Sequence, residues 1–324
     1  MTNEEPAAAR TMTAADPFAR LFAPDQLTFG LVLPLTEERG AETSLEEQLE
    51  LATLVERLGF DALWVRDVPL NSPDYPDPQA HLDPWVLLGA LSARTSRILL
   101  GTAAIAAPVR HPLHIAKGAL SVWAASQGRF ILGLGSGDRL PEFAAFGRDA
   151  AQRSEIFRDV WTRVAAGVAR HQRVLTDTAE PGAPSFAIRP VPPVGGVPIV
   201  AVGSARQTLG WIARNAGAWL TYYRNPEIQR DRIALWHDAV SRLGHTGFRG
   251  LGTSFQLELL EKPDAVPEPL PLGLRTGAKG LRDALREQRA MGVHHILFNI
   301  TSGLRPVADT LHELGDVLTQ CSHA

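Results

Sequence analysis

Cysteine is almost missing from this chain: Cys321 is the single example in 324 residues. Without a second thiol there is no internal disulfide and no thiolate metal cluster, and Cys321, three residues from the end, reads as an incidental thiol rather than a nucleophile. A reducing compartment is compatible with this, and a cytoplasmic location is the expectation. An excess of positive charge is lacking too. Lys and Arg number 32 against 35 Asp and Glu, for a net charge of -3, whereas a nucleic-acid surface normally shows itself as a basic domain. No apolar run approaches the roughly 18 residues of a spanning helix, so no helical membrane span is expected. The first 25 residues also lack the apolar centre, about 7–15 residues long, of a secretion signal.

The rest is the composition of a folded globular protein, 45% hydrophobic and 21% charged, which excludes general disorder. Residues 1–26 are expected to be a flexible leader, with Phe18 and Phe22 packing on the domain that follows. From Leu27 short apolar runs alternate with amphipathic stretches, the pattern of β/α units with parallel strands. The runs are LTFGLVLP (27–34), ALWVR (62–66), RILLGTAA (97–104), RFILGLG (129–135), PIVAVG (198–203), AWLTYY (218–223), TSFQLELL (253–260) and HHILFNI (294–300).

Helix starts punctuate them. Ser44 with Glu47 forms a capping box, and Asp83-Pro84 and Asn225-Pro226 are good N-termini. Further helices are predicted over 112–126, 152–168, 279–290 and 307–319, and one from Ser204. Eight such units predict an α/β fold of one domain over 27–324. This is a closed (β/α)8 TIM barrel with excursions after strand four (181–198) and between strands six and seven. The proline-rich stretch 260–275 reads as an irregular loop.

In a barrel of this kind the site is built by the loops after the strands. That nominates Arg66 and Asp67, Ala103 to Ala107, Ser136 to Arg139, Gly203 to Gln207, Tyr222 to Arg224, and Asn299. GLGSGD (133–138) fails the spacing of a dinucleotide fingerprint, and Pro141 interrupts the helix that should follow. In VGSARQ (202–207) a helix N-terminus with the Ser204 hydroxyl suits an anion. That Ser204 and Gln207 only cap one another fits the spacing equally well. Arg153, opening the helix after strand four, could reach the same region, or be a solvated helix charge. His111 and His114 have no neighbouring carboxylate to complete a ligand set, so no metal is expected. His294 and His295 alternate across the last strand, and one of them faces the barrel interior.

The series RILLGTAAIAAPVRHPLHIAKGALSVWAASQGRFILGLGSGD, EFAAFG, PIVAVGSARQT and GWIARNAGAWLTYYR resembles the luciferase-like monooxygenases, the flavin barrels that include bacterial luciferase and the deazaflavin (F420) oxidoreductases. The resemblance spans about residue 27 to 318. It implies a non-proline cis peptide at Ala103-Ala104 beneath a flavin ring. It also implies a phosphate site from Arg153, Gly203, Ser204 and Gln207, with Ser136 and Gly137 lining the cofactor. The segment Arg66-Asp67-Val68-Pro69 departs from the family, whose two main groups carry a histidine there. Asp67 is the catalytic candidate at that position, in a proton-handling role; the alternative is a salt bridge to Arg66 or Arg139.

The leading expectation is an FMN-dependent monooxygenase acting on a small organic molecule, with reduced flavin delivered by a separate, transient reductase because no nicotinamide-binding domain is visible. Tyr222, Tyr223, Arg224 and Asn299 would shape the substrate pocket, Arg224 clamping an anionic group. F420 in place of FMN, or a flavin-binding barrel without turnover, are the alternatives. A homodimer is the expected assembly.

Overall fold

The computed structural model describes residues 16–36, 44–71, 81–169, 187–244, 247–300 and 305–322. In chain order the first elements are α1 (Pro17–Leu21), β1 (Thr28–Leu33), α2 (Leu45–Arg57), β2 (Ala62–Val65), α3 (Pro84–Arg94), β3 (Leu99–Thr102) and β4 (Ile105–Ala106). Then come α4 (Pro112–Ala125), β5 (Phe130–Gly135), α5 (Leu140–Ala145), α6 (Arg153–Val168), β6 (Ile199–Val202), α7 (Leu209–Asn215) and β7 (Ala218–Tyr222). The last are α8 (Pro226–Ser241), β8 (Gly250–Leu259), β9 (Glu268–Leu270), β10 (Gly273–Thr276), α9 (Ala278–Ala290), β11 (His295–Ile300) and α10 (Val307–Ser322).

Eight of the strands, in the order β1-β2-β3-β5-β6-β7-β8-β11, pair in parallel, and β11 returns to β1 to close the barrel. The (β/α)8 architecture is thus the one expected. The caps also form as the sequence suggests: Ser44 Oγ accepts from the Glu47 N–H, Asp83 Oδ1 from Trp85 and Asn225 Oδ1 from Ile228.

Strand alternation divides the apolar residues into two layers. Residues such as Leu31, Leu63, Leu100 and Phe255 face the helices. Trp64, Ile131, Val200 and Leu297 fill the barrel interior. Trp64 fits inside only because β3 carries no side chain at Gly101, where an added Cβ would lie 2.4 Å from the indole ring. The indole N–H donates to His295 Nε2 at 2.9 Å, so the proton of this imidazole sits on Nδ1, which donates to Thr28 Oγ1 at 2.7 Å. The Thr28 hydroxyl passes the chain on to the carbonyls of Leu21 or His294. His295 is the inward member of the histidine pair, and the His294 ring packs edge-on against Phe248.

Residues 1–15 lie outside the described residues, but 16–22 are ordered: Asp16 caps α1, and Phe18, Leu21 and Phe22 are buried in the interior layer. They plug the N-terminal end of the barrel, a gain in buried apolar area that overrides their loop-like composition. The second excursion is also placed differently. β8 starts at Gly250 rather than 253, and the inserted segment follows β8 rather than preceding it. Glycine weakens a strand signal, yet a Cβ at Gly250 would collide with the Phe22 ring at 2.5 Å. Within 260–275 the chain forms β9 and β10 rather than an irregular loop; β10 pairs with β8 in parallel and with β9 in antiparallel. Of the excursion over 181–198, residues 181–186 lie outside the described residues. The helix expected from Ser204 does not begin there: α7 starts at Leu209 with Thr208 as its cap.

Candidate active site at the mouth of the barrel

A cleft of about 630 Å³ opens at the C-terminal ends of the strands, within the roughly 300–1,000 Å³ usual for small-molecule sites. Its first wall comes from β2 and β3. The peptide between Ala103 and Ala104 is cis, and both alanines line the cleft with Arg66 and Asp67. The Ala103 N–H donates to Val65 O at 2.8 Å and the Asp67 N–H to Ala104 O at 3.3 Å, so the bulge is stitched to the end of β2.

Asp67 does not pair with Arg66 or Arg139 as considered. Its side chain, 1% exposed, takes a bidentate pair of 2.7 Å hydrogen bonds from Arg110 and a third, 3.1 Å, from the Ala106 N–H. A carboxylate that accepts three hydrogen bonds has few lone pairs left for substrate. Arg139 instead bonds Glu142 and Asn71. Burial pushes the Glu142 carboxyl up, against the bond from the Leu70 N–H and the nearby Arg139.

The second wall follows β5. Ser136 and Gly137 line the cleft, Gly137 with φ of 70°, and Arg153 at the start of α6 reaches its edge. The third follows β6 and β7. Gly203, Ala205 and Arg206 all have positive φ, at 67°, 48° and 54°, a left-handed run that no helix can begin through. A tight turn stands where the helix start was expected, with Ser204 Oγ accepting from the Arg206 N–H. Gly203 and Ser204 line the cleft, but Gln207 does not. Its amide donates to Ser154 and accepts from Arg158, tying the turn to α6. Gln207, expected at the phosphate, thus lies off the cleft and braces the turn.

Tyr222, Arg224 and Asn299 line the cleft as expected; Tyr223 does not. Consecutive strand residues face opposite ways, and Tyr223 is buried outside the barrel with its ring 4.5 Å from Phe255, where burial pushes its hydroxyl up. Ser254 and Gln256 of β8 line the cleft and were not foreseen. The signal was present: polar residues at every second position of TSFQLELL face the interior while Phe255 and Leu257 face the helices. Five arginines (66, 139, 153, 206 and 224) line the cleft against Asp67 and Asp138. With Asp67 paired to Arg110 and Arg139 to Glu142, the remaining balance at the mouth still favours an anionic ligand. His111 and His114 stack edge to face at 5.8 Å, and among the described residues no cluster able to hold a metal is found. Nor is any described helix long and apolar enough to cross a membrane.

Comparison with known proteins agrees with this fold. A family model described as luciferase-like monooxygenase matches residues 27–260. An uncharacterised protein of Mycobacterium tuberculosis is 29% identical over 284 residues, 83% of this chain and 96% of its own. Among solved structures, a monooxygenase from Streptomyces bottropensis superposes with a TM-score of 0.68 at 20% identity, covering 90% of this chain and 99% of that one. An F420-dependent secondary alcohol dehydrogenase in complex with an F420-acetone adduct gives 0.71 at 14%, covering 91% and 99%. At such identities the structural likeness is one of fold.

Proposed function

Since the chain belongs to the luciferase-like monooxygenase family, and is therefore an enzyme, we propose that its mouth binds FMN and uses it to oxygenate a small organic substrate. The observation that carries this reading is the donor set of the cleft. Arg153 and the Ser204 turn form a cationic, hydroxyl-bearing end suited to a phosphate, while Ala103, Ala104 and Gly137 leave a small-residue surface for a flat ring. The residues present fit the group. The flavin supplies the redox chemistry when bound, and the protein supplies binding, orientation and exclusion of water. Tyr222 and Asn299 face the substrate space, and Arg224 clamps an anionic group there. Reduced FMN arrives from a separate reductase.

A second reading, F420 in place of FMN, is favoured by one observation: Arg206 and Arg224 line the cleft beyond Arg153, more cationic groups than a single phosphate requires. Titration with both cofactors, followed by fluorescence quenching, decides between them. FMN is expected to bind in the micromolar range or weaker, because it must come and go. F420 binding at least tenfold tighter, about 1.4 kcal/mol, would reverse the order.

A further inference from the structure

The proposed cofactor needs a floor at a set height, and hydrogen bonds from one acidic residue hold the backbone that would form it. Asp67 reaches the bulge after β3 twice. Its N–H donates to Ala104 O and its carboxylate accepts from the Ala106 N–H. The same carboxylate is gripped by Arg110, which follows the bulge in the chain and also donates to Asp83 at 2.9 Å. Asp83 is in turn the N-cap of α3. One guanidinium thus ties together the end of β2, the segment 104–110 and the start of the next helix. The Asp67 side chain is 1% exposed and that of Arg110 22%, so solvent screens the pair poorly and the bidentate fork fixes direction as well as distance.

We propose that the Arg110–Asp67 pair is a positioning clamp: it sets the backbone of 104–106 on which the cofactor ring rests, and Asp67 acts through that backbone rather than by moving a proton. The proposal rests on the cofactor reading above. Its roles are distinct from those of Arg153 and Ser204, which would touch the cofactor itself. The pair spans 43 residues and belongs to two different β/α loops, an arrangement that helix or strand stability alone does not require.

The test uses Asp67→Asn, Arg110→Gln and the double variant of the full chain. Asp67→Asn preserves shape and one acceptor. The double variant removes both charges together, so that neither is left buried alone, and it keeps the experiment open if Arg110→Gln folds poorly. Amide hydrogen exchange of 103–110, FMN affinity and the visible spectrum of bound FMN are read for each. Exchange in that segment is expected to rise at least about tenfold in the single variants, with FMN weakened by a similar factor, on the order of one broken charge-assisted pair, and its spectrum shifted. The double variant should be no worse than the weaker single, because the two residues act as one unit.

Faster exchange with unchanged FMN affinity and spectrum would overturn the positioning role while leaving the FMN reading intact. So would additive losses. An Asp67→Asn protein that binds FMN normally but has lost turnover, beside an active Arg110→Gln, would make the carboxylate a proton carrier instead. A wild-type protein that binds neither FMN nor F420 would overturn both readings together.

Discussion

Lowering the pH from 7 to 4.5 should cost the folded protein about 3 kcal/mol, most of it through the adjacent histidines of the last strand. Burial in the barrel interior lowers the pKa of His295 to about 3, with Thr28 opposing it only in part. Burial, with the neighbouring charge of His237, lowers that of His294 to about 4. In the unfolded chain both take up a proton near their ordinary value of 6.5. Their stabilisation is thus complete above pH 6.5 and drains away as the pH falls toward the folded values. At pH 4.5, two units below 6.5, each histidine has lost about 2.5 kcal/mol at roughly 1.36 kcal/mol per unit.

Asp61 works the other way. Burial raises its pKa to about 6 despite the Phe29 N–H and Arg20, so the folded carboxyl is protonated before the unfolded one and returns about 2 kcal/mol over the same interval. Urea midpoints between pH 7 and 4.5 measure the net decline. His295→Gln, though less stable at neutral pH, should flatten that decline by about 2.5 kcal/mol. Ring NMR signals should show that His294 and His295 remain neutral at pH 5. Undiminished stability at pH 4.5, or an imidazole of this pair titrating near 6.5, would refute the burial argument.

Three further outcomes are expected. Arg153→Ala should weaken FMN by about tenfold to a hundredfold while scarcely changing riboflavin affinity; equal losses for both ligands would take Arg153 off the phosphate. Phe22→Ala, at a fully buried ring in the barrel floor, should cost about 3–5 kcal/mol in chemical denaturation, a loss a loose leader would never show. Tyr222→Ala should raise the KM for substrate, whereas Tyr223→Phe should leave KM unchanged, because only Tyr222 faces the cleft; the reverse pattern would mean the strand register is misread.

How far the site could be read in advance varied residue by residue. Ala103, Ala104, Ser136, Gly137, Arg153, Gly203, Ser204, Tyr222, Arg224 and Asn299 all line the cleft, because a parallel barrel delivers its strand ends to one face and strand ends are marked by local pattern. Tyr223 and Gln207 lie off the cleft, for local reasons too. The parity of the first was available from strand alternation, whereas the second depended on three left-handed residues whose conformation, in Ala205 and Arg206, residue type does not announce.

The sequence by itself determined the class of fold, since eight alternating apolar runs with capped amphipathic stretches between them leave little else that can be built. Its ordered motifs likewise carried the family. Only the tertiary structure decided what those motifs touch. Arg110 finds Asp67 across 43 residues, Trp64 finds His295 across 231, and Phe22 fills the space that Gly250 leaves open. Each is set by which strands and loops become neighbours in the folded barrel, and long-range proximity of that kind leaves no periodicity in the chain. It exists only once apolar burial has drawn the strands into a ring and each buried polar group has had to find a partner there.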